Sequence, residues 1–192
     1  MENEWVFGQP TVILISGKAG SGKGEVANKF MTLLNEIKYI LKVRTSFANN
    51  VKGAAKNYFG WDGVKDVKGR KLLQNIGNTG REYDENLWVA SALEDVFSST
   101  FLPVNVIVID DWRFPNEAEY LKKQYKVWKI RIISDKFSSL KGTPEANDIS
   151  EISLDNYDGF DIELVNNGTL EELNKLVELA FQIILKEATY NG

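Results

Sequence analysis

The sequence predicts an α/β fold in which a parallel sheet carries helices on both faces. Three observations support this. Two short apolar runs, Thr11 to Ile15 and Val104 to Ile109, are rich in β-branched residues and lack polar alternation, as strands buried on both faces do. Segments of helical periodicity separate these runs from further strand-like stretches, so strands and helices alternate. The first run ends in a glycine-rich turn that opens a helix.

Taken in order, Thr11 to Ile15 reads as the first strand. A helix follows from about Gly22, with Val26, Phe30, Leu33, Leu34 and Ile37 spaced as one core face. Leu41 to Ser46 is a short second strand. Phe47 to Asp84 is polar, with scattered Gly and no strong strand, and reads as short helices covering a site. Glu85 to Phe101 is helical, carrying Leu87, Trp88, Ala92, Leu93 and Val96 on or near one face. Val104 to Ile109 ends at Asp110-Asp111. Pro115 opens a helix to about Gln124, and Val127 to Ile133 is the next strand. Residues 134 to 150 read as a polar loop, Phe160 to Val165 as a last short strand. Thr169 caps the final helix with Glu172 in the capping-box position.

The chain has 192 residues, the length of one ordinary domain, with no repeat or linker that divides it. Its 23 basic and 27 acidic residues give a net charge of −4, which argues against a dedicated nucleic-acid surface. There is no Cys and no His, which excludes disulfides, thiol nucleophiles, Cys/His zinc sites and a Ser-His-Asp triad. Chemistry must rest on Lys, Arg, carboxylates, hydroxyls, backbone amides or a bound ion. No apolar run is long enough to cross a membrane, and the acidic start Met1-Glu2-Asn3-Glu4 is wrong for a signal peptide. The expected compartment is the cytoplasm.

Gly17-Lys18-Ala19-Gly20-Ser21-Gly22-Lys23 fits G-x-x-x-x-G-K, between a strand and a helix. Glycines let successive amide N–H groups face one point, the helix adds its positive N-terminus, and Lys23 would reach the outer phosphates. The next position is Gly24, where the usual hydroxyl ligates Mg²⁺. The ion must then be held by Ser21, by water, or by Asp110 and Asp111. Those two acids end a buried strand, where a carboxylate lies near the phosphate crevice. Their side chains point to opposite faces, so one of them serves. Only five Arg occur, at 44, 70, 81, 113 and 131. Arg113 follows the acidic strand end and can reach the crevice. Arg70 and Arg81, with Gln74, Asn86 and Trp88, could hold a second phosphate and a base. Arg131 lies within a strand and reads as structural.

A family resemblance rests on the loop Ile15 to Lys23, on Ser46-Phe47-Ala48 through Lys52, and on Leu72-Leu73-Gln74 to Gly77. It continues in Arg81, Asn86-Leu87-Trp88-Val89 and above all Asp111-Trp112-Arg113-Phe114-Pro115-Asn116-Glu117, similar to D-x-R-F-x-N-E. Ser150-Glu151, Leu154-Asp155, Asp161 and Asn166-Asn167-Gly168-Thr169-Leu170 extend it. Over nearly its whole length the chain resembles the deoxynucleoside monophosphate kinases of T4-like phages and their bacterial relatives in the P-loop nucleoside/nucleotide kinase superfamily. It departs from them at Gly24, where Asp or Ser/Thr is common, and at Asp148, where His is common.

The resemblance implies a three-layer α/β/α P-loop kinase fold with a five-stranded parallel sheet of order 2-3-1-4-5. It also implies a monophosphate-binding cover over about 47–84 and a lid near 134–148. The implied reaction moves the γ-phosphoryl group of ATP, with Mg²⁺, to a (deoxy)nucleoside monophosphate. On this chain Lys23, Arg113 and Asp111 would be catalytic, and Gly17 to Gly24 would hold ATP. Lys52, Arg70, Gln74, Arg81 and Trp88 would hold the acceptor, and Asp111, Asp110 and Ser21 the metal. The acceptor oxygen is already ionised at neutral pH, so no general base is required and the absence of His is no obstacle. Two alternatives stay open at this stage: a kinase of another small phosphorylated metabolite, and a P-loop ATP-binding protein without transfer. The preferred base and a homodimer stay open too.

Overall fold

The computed structural model describes residues 10–136 and 144–190. Its elements run β1 (Thr11–Gly17), α1 (Lys23–Asn35), β2 (Lys42–Thr45), α2 (Ala48–Phe59), α3 (Val67–Tyr83), α4 (Leu87–Ser98), β3 (Val106–Ile109), α5 (Pro115–Lys122), β4 (Lys126–Ile133), a 3₁₀ turn (Pro144–Asn147), α6 (Ile149–Ile152), β5 (Ile162–Val165) and α7 (Leu170–Tyr190). The sheet order is β2-β3-β1-β4-β5, with every neighbouring pair parallel. This is the predicted three-layer arrangement of P-loop kinases. β1 lies at its centre, with Thr11 opposite Val106 on one side and Lys126 on the other.

The alternation along β1 builds two cores. Ile13 and Ile15 face α1 and α7, packing with Phe30, Leu34, Val177, Phe181 and Ile184. Val12 and Leu14 face α4 and α5, packing with Val89, Ala92, Leu93, Ala118 and Leu121. Because both faces are covered, β1 and β3 carry no polar alternation. Crossovers between parallel strands leave the carboxyl ends of β1 and β3 side by side, and the loops after them form the crevice.

Three stretches differ from the sequence reading in detail. The cover is two regular helices, α2 and the 17-residue α3, in place of several short ones. Asp66 caps α3 by accepting from Gly69 N at 2.7 Å. A Cβ at Gly80 would lie 2.4 Å from the Trp88 ring, so glycine there lets α4 seat its indole against α3. The segment 134–150 is not loop throughout. Asp148 accepts from Ser150 N at 2.9 Å and from its hydroxyl at 2.6 Å, capping α6. Much of the expected lid near 134–148 lies outside the described residues. β5 begins at Ile162 because Phe160 turns inward to Trp112 and Tyr157, with ring centroids 5.4 and 5.1 Å away. At Thr169 the capping box forms as predicted: Glu172 accepts from Thr169 N at 2.7 Å, and Thr169 Oγ1 accepts from Glu172 N at 3.2 Å.

Candidate active site

The loop between β1 and α1 curls tightly. Gly20 and Gly22 have φ of 84° and 102°, in the left-handed region that a Cβ disfavours. Ser21 N donates to Lys18 O at 3.1 Å, and Asn166 Nδ2, from the turn after β5, donates to Ser21 O at 2.9 Å. A Cβ on Gly22 would meet that Asn166 amide at 2.7 Å. No side chain caps α1, because its N-cap is Gly22, so its first-turn N–H groups are left to an anion.

Lys23 folds over the loop, its Nζ donating to Gly17 O at 2.7 Å and Lys18 O at 2.9 Å. Burial, reinforced by the Arg113 charge, lowers its pKa to about 8 from the usual lysine value of 10.5. Ser21 is buried, its Oγ is unpartnered among the described residues and packs against the Gly17 backbone. Gly24 is open: an added Cβ would meet only Arg44 Nη2, at 3.9 Å.

The two acids after β3 separate as predicted. Asp110 pairs with Arg44 at the end of β2, whose Nε donates at 2.9 Å. Asp111 turns to the start of α2, accepting from Ser46 Oγ at 2.6 Å and from Phe47 N and Ala48 N, both at 2.8 Å. It thus stands in for the side-chain cap that α2 lacks at Phe47. In the next turn Glu117 is buried, and its Oε2 accepts from Arg113 N at 2.9 Å and Phe114 N at 3.0 Å. Burial is the largest influence on Glu117 and raises its pKa to about 8, against those two hydrogen bonds.

Beside these loops lies a cavity of about 190 Å³ under α2 and α3. It gathers Lys52, Arg70, Gln74, Arg81 and Trp88, all five residues that the sequence reading put on the acceptor, together with Asp111 and Arg113. Arg81 stacks over Phe114 at 4.3 Å and donates to Asn78 Oδ1 at 2.7 Å. Burial lowers its pKa. Trp88 Nε1 donates to Gly77 O at 3.0 Å, and Arg70 Nε to Lys65 O at 2.9 Å. The phosphate loop does not line this cavity, nor does Asp110. Asp111, Arg113 and Glu151 do, and they are charged neighbours of Lys23, so the two halves meet there.

The cavity is also lined by Lys65, which the sequence reading missed, and by Asp148 and Glu151, which it named within the family pattern without a site role. Lys65 sits in the α2–α3 connection, where no periodicity marks it. Burial and the charges of Lys52 and Arg70 lower its pKa. Among the described residues, Lys52, Lys65, Arg70 and Arg81 make no ion pair with a carboxylate. Arg131 is structural as read: from β4 it bonds Ser16 Oγ and Asp155, both at 3.1 Å.

Fold and loop together define a P-loop kinase fold. No protein-family model matches the chain. It is 29% identical over 188 residues to an inferred deoxynucleotide monophosphate kinase of Acanthamoeba polyphaga mimivirus, covering 84% of this chain and 91% of that protein. It is 28% identical over 181 residues to uncharacterized protein ORF76 of Ictalurid herpesvirus 1 (strain Auburn), covering 94% of this chain and 70% of that one. Among solved structures, TT1252 from Thermus thermophilus superposes with a TM-score of 0.50 at 17% identity, over 94% of this chain and 98% of that chain. Shikimate kinase from Aquifex aeolicus superposes with a TM-score of 0.45 at 16% identity, over 89% and 96%.

Proposed function

We propose that this protein is an ATP-dependent kinase that moves the γ-phosphoryl group to a nucleoside monophosphate, deoxynucleotides included. One observation carries the reading. Beside a phosphate loop lies a cavity with four cations lacking carboxylate partners among the described residues, between the aromatic walls of Phe47, Trp88 and Phe114. Four cations gathered on one cavity, three half-buried and Lys65 exposed, attract an anion into it, and flat apolar walls suit a base. The similarity to the mimivirus protein supports the same acceptor class.

The loop amides, the α1 N-terminus and Lys23 bind the β- and γ-phosphates of ATP. Lys52, Lys65, Arg70 and Arg81 bind the acceptor phosphate, Trp88 and Gln74 bind the base, and Arg113 spans the two sites. Magnesium, when bound with the nucleotide, neutralises phosphate charge and orients the terminal groups. Asp111 fits a role in holding it, because it lines the cavity and its carboxylate is fixed by three donors with a lone pair to spare. Ser21, with its hydroxyl enclosed by the loop, fits less well, and Asp110 is held by Arg44. No cluster of three metal-ligating side chains occurs among the described residues. The chain's contribution is then alignment and charge neutralisation, with no proton to remove.

The test is incubation with Mg-ATP and each common ribo- and deoxyribonucleoside monophosphate, with chromatographic separation of products. A nucleoside diphosphate from one or more acceptors is expected. ADP release without a phosphorylated acceptor, or ATP binding without turnover, refutes the reading in favour of hydrolysis or a binding role.

A further inference from the structure

Helix α6 enters the site from outside the machinery described so far, and one of its residues touches both halves. Glu151 Oε2 accepts from Ala19 N, in the phosphate loop, at 3.0 Å. Its Oε1 pairs with Arg113 Nη1, which also donates to Ser150 O at 3.0 Å. The Glu151 side chain is only 7% exposed, against 30% for Arg113. A single buried carboxylate therefore fastens Arg113 to the loop backbone.

An arginine side chain has many rotamers to lose, and a group acting on a transferred phosphoryl must be in place beforehand. We propose that Glu151 is a positioning residue, whose carboxylate holds Arg113 against the phosphate loop so that the remaining guanidinium N–H groups face the phosphoryl being transferred. The inference rests on the kinase reading. Docking of α6 does not by itself require the Glu151 charge. Lys18 Nζ reaches Asp155 at 2.6 Å and Glu151 O at 2.7 Å, Arg131 reaches Asp155, and Asp148 caps the helix. Removing the charge should loosen Arg113 and leave the segment seated.

Glu151→Gln keeps an oxygen for Ala19 N and removes the charge facing Arg113. The expected result is a kcat lower by about 10- to 100-fold, since a displacement of about 1 Å costs that much. Both KM values should stay within about threefold and the melting temperature near that of the wild type. In an Arg113→Met background the same substitution should change kcat by less than about threefold, because residues acting as a unit are not additive. An undiminished kcat in Glu151→Gln, or equal losses in both backgrounds, overturns the proposal. The kinase reading fails separately, if the wild type phosphorylates no monophosphate. Arginine side-chain NMR then decides for Glu151. Resolved, slowly rotating Arg113 Nη protons that merge in Glu151→Gln support it, and identical spectra overturn it.

Discussion

Raising the pH tests the Lys23 environment directly. In the free protein burial and Arg113 hold Lys23 at about 8, while its Nζ donates to Gly17 O and Lys18 O. A bound triphosphate would supply the negative charge that these carbonyls only partly provide, so the ammonium form is favoured in the complex. ATP must then take up a proton wherever free Lys23 is neutral. From about 90% charged at pH 7, Lys23 falls to about 10% at pH 9, so affinity should drop about tenfold, or ~1.4 kcal/mol. Calorimetry in two buffers of different ionisation enthalpy reads both quantities. Uptake of about 0.9 proton per ATP is expected at pH 9 and almost none at pH 6.5. Lys23→Arg, charged throughout, should flatten the profile. Glu117→Gln should leave it in place, separating Lys23 from the other group with a pKa of about 8. Affinity flat from pH 7 to pH 9 with no proton uptake would refute the assignment of this lysine to the phosphates.

Three further outcomes follow. Arg81→Met should raise KM for the monophosphate by about tenfold or more, with KM for ATP little changed, because a hydrogen-bonded charge facing only the acceptor cavity is lost; steady-state kinetics with each substrate varied checks this. Glu117 binds its proton more tightly in the folded chain than in the unfolded chain. Its contribution to stability is therefore fully present below about 4.5 and lost as pH rises through about 8. Thermal melts from pH 5 to pH 9 should show a fall over that window which is shallower in Glu117→Gln. Asp111→Ala should lower stability by about 0.5–2 kcal/mol through loss of the α2 cap, measured by denaturant unfolding, and abolish transfer as well.

The parts of the site legible in the sequence are those that a local pattern encodes. Gly17 to Lys23 declares itself because a glycine-rich curl between a buried strand and a helix has few other uses, and Asp111 because it ends a second such strand. Arg70, Gln74 and Arg81 could be assigned together because they lie in one polar stretch between apolar elements, with Trp88 in the helix that follows and Lys52 added by the family resemblance. Their convergence on a single cavity depends on packing that the stretch itself does not show, such as the seat that Gly80 leaves for Trp88. Lys65 gave no signal, since a lysine in a connection reads as a solvated charge until two helices bring it to the cavity. Glu151 stood in the Ser150-Glu151 pattern without a role, since its importance lies in contacts 132 residues back along the chain at Ala19 and 38 back at Arg113.

That contrast bears on how the site works. The phosphate loop takes its curl from its own turn and from α1, with Asn166 bracing it from the turn after β5. Arg113 cannot be placed that way. Its backbone is fixed by Glu117 and its guanidinium by Glu151, and the two carboxylates come from elements on opposite sides of β4 in the sequence. Arg113 reaches its working position only once α6 has docked on the loop, so orientation of the arginine is a step separate from formation of the loop. A chain in which Lys18 and Asp155 no longer meet should therefore bind ATP while transferring poorly. That separation of binding from turnover is what a loop encoded locally and an arginine encoded at long range predict.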